Sequence, residues 1–230
     1  MKFGVVIFPG SNCDHDMIYA FQNILEQDVI PLWHKDSSLQ NVDGVLLPGG
    51  FSYGDYLRPG ALARFSNIMA SVIDFANNDG FVFGVCNGFH ILCESGLLPG
   101  ALLHNNNRKF ICKNVYIIPD AKQTHLTYGL VPDKALKIPI AHGEGRYYAC
   151  SEDLAAMRMN GQILFRYSDE SGNVSDATNP NGSAENIAGV CNAGKNVFGR
   201  MPHPERAVDD ELGNTDGLHI LNAILKTLKK

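Results

Sequence analysis

The sequence predicts an α/β fold: a central, mostly parallel, doubly wound sheet flanked by helices, with extra short strands in its second half. Three observations carry this. Apolar runs bounded by turn residues recur along the first half, at 3–8, 29–33, 42–47 and 81–85. They lack in/out alternation, as parallel strands covered on both faces do. Segments of helical period lie between them.

Taken in order, the run at 3–8 is the first strand. After Asp14, the residues Met17, Ala20, Phe21, Ile24 and Leu25 follow the i, i+3, i+4, i+7, i+8 pattern of one apolar helix face. The runs at 29–33 and 42–47 are the next strands. A second helix is expected after Pro59, with Leu62, Phe65, Ile68, Met69, Val72, Ile73 and Ala76 on its buried stripe. The run at 81–85 leads into a third helix that stops near Gly96, where glycine suits a helix end. The second half offers short strands at 115–118, 163–167, 187–191 and 196–199. Segment 171–186 is polar and turn-rich, so it reads as an exposed loop or hairpin. From Asp216, Leu218, Leu221, Ile224, Leu225 and Leu228 recur at helical spacing, and this last helix is expected to pack back on the sheet. Without repeat, linker or low-complexity tract, residues 1–230 read as a single domain.

Composition narrows the class of function. The 230 residues carry 19 Lys plus Arg against 24 Asp plus Glu, a formal charge of −5, and this argues against nucleic acid as main partner. At 45% apolar and 19% charged, the chain is globular rather than disordered. No apolar run reaches the roughly 20 residues that span a bilayer. The short run after Lys2 is broken by Pro9-Gly10 and followed by Asp14 and Asp16, unlike a signal peptide. The expectation is a soluble cytoplasmic protein with no membrane partner. Its six cysteines, Cys13, Cys86, Cys93, Cys112, Cys150 and Cys191, show no C-x-x-C spacing, so reduced thiols are expected rather than a disulfide framework or a zinc site.

The chemistry concentrates in residues 81–92, FVFGVCNGFHIL. A strand running into Gly84-Val85-Cys86-Asn87-Gly88 and then a helix has the layout of a nucleophile elbow, with Cys86 in the place of serine. Glycines two before and two after let a strained turn form, and the helix start aims unpaired N–H groups at the sulfur, which favours thiolate. Cys86 could instead be an inert buried thiol; the other five lack this setting and are expected to be structural.

A thiolate needs a base, and the base an orienter. In Met201-Pro202-His203-Pro204-Glu205-Arg206 the prolines exclude helix and hold His203 extended, so that Glu205, two residues on, points the same way and reaches its ring. Alone, such a pair is usually a surface turn. An oxyanion also needs donors: the backbone N–H of Asn87 is one, and an amide of Gly49 or Gly50, after the strand at 42–47, is the second.

Pro48-Gly49-Gly50, Gly84-Val85-Cys86-Asn87-Gly88 and His203-Pro204-Glu205, in that order, resemble a class I, triad-type glutamine amidotransferase domain. Its sheet is flavodoxin-like. Further segments narrow the resemblance: 9–14 (PGSNCD), 50–58 (GFSYGDYLR), 84–89 (GVCNGF), 141–145 (AHGEG) and 201–207 (MPHPERA) are similar to the glutaminase subunits of phosphoribosylformylglycinamidine synthase, over essentially the whole chain. His90 stands where that family's pattern leads one to expect Gln.

The resemblance implies that Cys86 is the nucleophile, His203 the general acid/base and Glu205 its orienter, with Gly50 and Asn87 as oxyanion donors. It implies that Gly49, Phe51, Ser52, His142 and Glu144 lie at the glutamine site, and that the loop at 51–58 and the segment at 142–145 line that site or face the synthase partner. Read physically, Glu144 between glycines could bind an ammonium, and Asp55 with Arg58 could be a mere surface pair. No cofactor or metal is expected in this chain. It lacks a G-x-x-x-x-G-K-[ST] loop, so ATP and magnesium are assigned to a separate synthase subunit, with a small third subunit bridging the two. The chain starts directly with its first strand and is expected to be free-standing. Two rivals are a different glutaminase or γ-glutamyl hydrolase on the same fold, and a non-enzymatic cysteine redox sensor.

Overall fold

Phe3, Val5 and Val6 have no exposed surface because β1 (Lys2–Ile7) runs between two parallel neighbours, β2 (Asp28–Trp33) and β3 (Gly44–Leu47). The computed structural model describes residues 1–120, 124–131 and 134–229. The chain divides into two units, Met1–Leu98 with Asn196–Gly199, and Pro99–Lys195 with Arg200–Lys230.

In the first unit α1 (Asp14–Tyr19) runs on through one π turn, Ala20–Ile24, and buries Met17, Ala20, Phe21 and Leu25 of the predicted face, with Ile24 half-buried. Phe21 meets Phe3 edge-on, ring centroids 4.8 Å apart. α2 (Asn67–Asn77) buries Ile68, Met69, Val72 and Ala76. Next come β4 (Phe81–Val85), parallel to β3, and α3 (Asn87–Glu94), giving the strand order β2-β1-β3-β4. That is the flavodoxin-like order. A strand from late in the chain, Val197–Arg200, adjoins β4. Asn196 secures its start: its carbonyl accepts from Val82 N–H at 2.9 Å, and its side-chain amide donates to the Ala76 and Gly80 carbonyls.

Two expectations change here. β2 is an edge strand with Leu32 alone buried, which is why Pro31 is tolerated within it. The helix expected after Pro59 starts only at Asn67, because Ser66 is extended (ψ 151°) and separates it from a 3₁₀ turn at Ala63–Phe65. The helical phase breaks there, and Phe65 is 73% exposed instead of buried.

The second unit contains β5 (Ala101–Leu103), β6 (Ile111–Pro119), β7 (Leu136–His142), β8 (Arg146–Tyr148), α4 (Ser151–Met159), β9 (Ile163–Ser168), β10 (Ile187–Cys191), the end of β11 (the Val197–Arg200 strand) and α5 (Gly217–Leu228). Strands β10-β9-β6-β7 are antiparallel neighbours, so this part of the sheet is more extensive than extra short strands. β7 alternates buried Leu136, Ile138, Ile140 and His142 with more exposed residues, the one-faced antiparallel pattern. β5 and β8 form a separate antiparallel pair. Segment 171–186 is not simply exposed: 3₁₀ turns at Asp176–Thr178 and Ala184–Asn186 interrupt it, and Asn181, Ser183 and Asn186 are buried. Asn179 Oδ1 accepts from the amides of Asn181, Gly182 and Ser183, so side chains satisfy this backbone in place of a sheet. α5 buries Ile220, Leu221, Ala223 and Ile224 and packs on β7. No helix among the described residues is long and apolar enough to cross a membrane.

Candidate active site

β4 ends and α3 begins at Cys86, whose backbone sits at φ 51°, ψ −106°. That is a strained, left-handed conformation for a residue with a Cβ. It turns the chain sharply enough that the helix starts on the very next residue, with Cys86 as its N-cap. The flanking glycines are required by contact. A Cβ on Gly84 would sit 2.6 Å from Leu92 Cδ1 and 2.7 Å from the Gly88 carbonyl, and a Cβ on Gly88 would run into the Leu47 carbonyl at the end of β3. The start of α3 is thus seated against the end of β3, next to the Gly49-Gly50 turn.

At that turn Gly49 is buried and Gly50 has φ +126°, where a Cβ would lie 2.6 Å from Asn12 Oδ1. The Phe51 amide donates to the Gly10 carbonyl at 3.1 Å, which commits it to structure and leaves Gly49 and Gly50 as the candidate donors. Phe51 is half exposed and Ser52 buried. Both side chains of the 55/58 pair also reach α3: Asp55 Oδ1 accepts from Asn87 Nδ2 at 3.1 Å, and Arg58 Nη2 meets Glu94 Oε2 at 2.8 Å.

His203 follows β11 in the second unit. Its N–H donates to the Pro139 carbonyl of β7 at 2.9 Å, and its backbone is extended (φ −96°, ψ 91°) as the flanking prolines predict. The next step departs from expectation. Pro204, Glu205 and Arg206 form a 3₁₀ turn with Pro204 at its first position, where a missing N–H costs nothing. The turn, not an extended i, i+2 register, brings Glu205 back under the ring of His203. His203 Nδ1–H donates to Glu205 Oε1 at 2.6 Å, with both side chains buried. This fixes the tautomer that leaves Nε2 as proton acceptor. α5 backs the turn closely, since a Cβ on Gly217 would run into the Pro204 carbonyl.

His142 and Glu144 belong to a third arrangement. Buried Asn105, which sequence reasoning missed, donates to the Lys109 and His142 carbonyls at 2.9 Å and accepts from Gly145 N–H at 3.0 Å. Its Oδ1 also lies 3.0 Å from His142 Nδ1. The His142 ring occupies the space a Cβ on Gly145 would need. His142 thereby braces the 142–145 turn, and Glu144 keeps a partly exposed carboxylate 3.4 Å from His104 Nδ1.

Cys86 is buried, as are Cys13 and Cys191, and what sets it apart is its strained elbow backbone at the start of α3. Burial pushes the Cys191 thiol up to about 12, opposed by Lys195, and pushes that of Cys93 up further, helped by Glu94. Cys93 is half-buried on α3, and Cys112 and Cys150 are exposed. No cluster of three or more metal-ligating side chains occurs among the described residues.

Residues 1–216 match a family model described as a CobB/CobQ-like glutamine amidotransferase domain. Phosphoribosylformylglycinamidine synthase subunit PurQ of Koribacter versatilis is 50% identical over 230 residues, covering 100% of both chains. The protein of that name from Aquifex aeolicus is 53% identical over 225 residues, 98% of this chain and 99% of its own. Among solved structures, a chain of PurLQS from Thermotoga maritima superposes with a TM-score of 0.86 at 40% identity, over 99% of this chain and 98% of that one.

Proposed function

The chain belongs to the family of PurQ subunits of phosphoribosylformylglycinamidine synthase, and from that membership we propose that it releases ammonia from L-glutamine for the synthase. It is the glutamine amidotransferase component, and an ATP-dependent synthase subunit is its partner. That subunit would use the ammonia, with ATP and magnesium, to convert formylglycinamide ribonucleotide into the amidine. A small third subunit bridges the two in this reading, and the setting is cytoplasmic.

The observation that carries the chemistry is the Cys86 elbow, a strained backbone capping α3 between two glycines where a Cβ would collide with neighbouring backbone. Cys86 gives its thiol proton to His203 Nε2, and the thiolate attacks the side-chain carboxamide carbon of glutamine, forming the C–S bond and placing negative charge on the carbonyl oxygen. The amides of Asn87 and Gly50 stabilise that charge. Collapse breaks the C–N bond, His203 delivers a proton to the departing nitrogen, and ammonia and a γ-glutamyl thioester result. Water then gives its proton to His203 as it attacks the thioester, and glutamate leaves with Cys86 restored. Glu205 holds His203 in the required tautomer. Gly49, Phe51, Ser52, His142 and Glu144 are assigned to the glutamine site or its support. The bonded His203–Glu205 pair supports this reading over a thiol sensor, which has no use for it.

The test is Cys86→Ala in the complete complex. Glutamine-dependent amidine formation should vanish while synthesis from added ammonia persists. Equal loss of both, or retained glutamine-dependent synthesis, overturns the assignment.

A further inference from the structure

The Gly49-Gly50 turn is laced to a second segment of the same unit, residues 9–12, which follows β1. Phe51 N–H donates to the Gly10 carbonyl at 3.1 Å and Tyr53 N–H to the Pro9 carbonyl at 2.6 Å, with Ser11 opposite Gly50 in an antiparallel bridge. The 9–12 segment is braced in turn: Ser11 N–H donates to the Phe8 carbonyl at 3.0 Å, and Ser11 Oγ accepts from Phe8 N–H at 3.3 Å. Opposed residues in an antiparallel ladder alternate between pairs that exchange hydrogen bonds and pairs whose N–H and C=O point away from each other. Because Phe51 bonds to Gly10, the Ser11–Gly50 pair between them is of the second kind. The Gly50 N–H therefore points away from residues 9–12, which leaves it free for an oxyanion.

Two adjacent glycines rotate more freely than any other dipeptide, so this orientation has to be imposed by neighbours. Contact imposes it. Gly50 lies at φ +126°, and a Cβ there would meet Asn12 Oδ1 at 2.6 Å, the Asn12 nitrogen at 2.7 Å and Ser11 Cα at 3.0 Å. Gly10, at φ +86°, closes the other side, since a Cβ on it would run into the Phe51 carbonyl oxygen. The two backbones thus approach as closely as glycine allows, and the Asn12 carboxamide fills the space over Gly50 that a side chain would take. The buried Cys13 thiol donates to Asn12 Oδ1 at 3.8 Å and helps to keep it there. Asn12 is otherwise an exposed residue, so the core gains little from it.

We propose that Asn12 is a positioning residue for the oxyanion hole: its carboxamide, packed over Gly50, locks the Gly49–Gly50 peptide with the Gly50 N–H turned outward. The proposal rests on the assignment of Gly50 as an oxyanion donor in the Cys86 thioester chemistry. In this role Asn12 acts through Gly50 and not on the substrate.

The test is made on the complete complex. Asn12→Ala should lower kcat for glutamate release about tenfold with KM within about twofold, because a misaimed donor is missed in the transition state and not in the bound substrate. Alkylation of Cys86 by iodoacetamide should stay within about twofold of wild type, since there the thiolate displaces iodide from a saturated carbon and no oxyanion forms. Asn12→Ser, whose shorter side chain covers part of the same space, should fall between, and it carries the test by the same criteria if Asn12→Ala does not fold. An unchanged kcat overturns the proposal. So does a rise in KM at constant kcat, which would make Asn12 a substrate contact, or alkylation slowed in step with kcat, which would mean that the whole elbow is disturbed. Cys86→Ala judges the underlying reading separately. If it abolishes glutamine-dependent synthesis while Asn12→Ala keeps full kcat, the proposal alone has failed; if it retains that synthesis, the reading has failed and the proposal falls with it.

Discussion

Asp55 accepts a hydrogen bond from the side chain of Asn87, the residue directly after the proposed nucleophile, at 3.1 Å. Three residues further on, Arg58 pairs with Glu94 at the other end of the same helix. The segment between is held against α3 at both ends, and a Cβ on Gly60 would come within 2.8 Å of the Ile91 nitrogen. Tyr53, Gly54, Asp55 and Leu57 all adopt positive φ, and Tyr53 is anchored by its hydroxyl 2.6 Å from His34 Nδ1. Strain of this kind persists only where surrounding contacts over-determine it. Asn87, the expected oxyanion donor, is therefore fixed by the loop as well as by its own helix.

Asp55→Ala removes the acceptor and frees Asn87 to shift. Loss of one such bond, about 1 kcal/mol or slightly more, corresponds to a five- to tenfold fall in kcat for glutamate release with KM little changed. Asp55→Asn retains a carbonyl acceptor and should keep most of the activity. Steady-state kinetics of the three proteins in the complex checks both; equal rates would show that the loop does not hold Asn87.

Gly88→Ala introduces a methyl group against the Leu47 carbonyl, a backbone atom that cannot swing away. The expected cost is on the order of 3 kcal/mol, since α3 must lift from the end of β3. For a chain of this size that lowers the unfolding midpoint by roughly 6–12 °C in a calorimetric scan.

Gly88 also shows what a sequence makes legible. A glycine two residues either side of a cysteine, after an apolar strand, encodes a local backbone constraint, and such constraints act over a few residues. The parallel strands β1, β3 and β4 were equally readable because burial on both faces demands unbroken apolar runs. α4 was missed because Met157 is its one buried residue, so there is no apolar stripe to read. β7 was missed because Pro139 sits within it and its alternation is carried by few residues. The Asp55–Asn87 and Asn105–His142 relationships join residues apart in the chain, and no spacing rule announces them.

Cysteine reactivity should separate five of the six thiols by environment. Cys112 and Cys150 are exposed and should alkylate readily with iodoacetamide, without loss of glutaminase activity. Cys191, pushed up to about 12 by burial, and Cys93, pushed higher, should stay unmodified in the native protein. Peptide mass spectrometry against residual activity tests this, and activity should follow Cys86 labelling alone. Glutamine in excess should slow that labelling.

His34 predicts a pH dependence of stability. Burial first, then the charge of Lys35, lowers its affinity for a proton, with Asp36 opposing. The unfolded chain therefore binds the proton more readily than the folded one, and stability rises with pH through this window. The contribution is complete above the unfolded value of 6.5 and is lost as pH falls from there toward the lower folded value. Protonation also removes Nδ1 as a possible acceptor for the Tyr53 hydroxyl, so the 51–58 loop should loosen with it. His34→Gln should flatten the fall in unfolding midpoint between about pH 6.5 and pH 5. An unchanged slope would place the titrating group elsewhere.

Glu205→Gln tests the division of work in the proton-transfer pair. Glutamine is nearly the same shape and its carbonyl can still accept from His203 Nδ1–H, so orientation survives in part. What disappears is the negative charge that stabilises the imidazolium formed whenever His203 carries the transferred proton. The loss should fall on kcat, by roughly 10²- to 10⁴-fold, with little change in KM, because the charge matters in the transition state and not in glutamine binding. Synthesis from added ammonia should be untouched, since it bypasses the thioester. A loss smaller than about tenfold would mean that the 2.6 Å contact between His203 and Glu205 serves orientation alone, with the charge carrying no part of the catalysis.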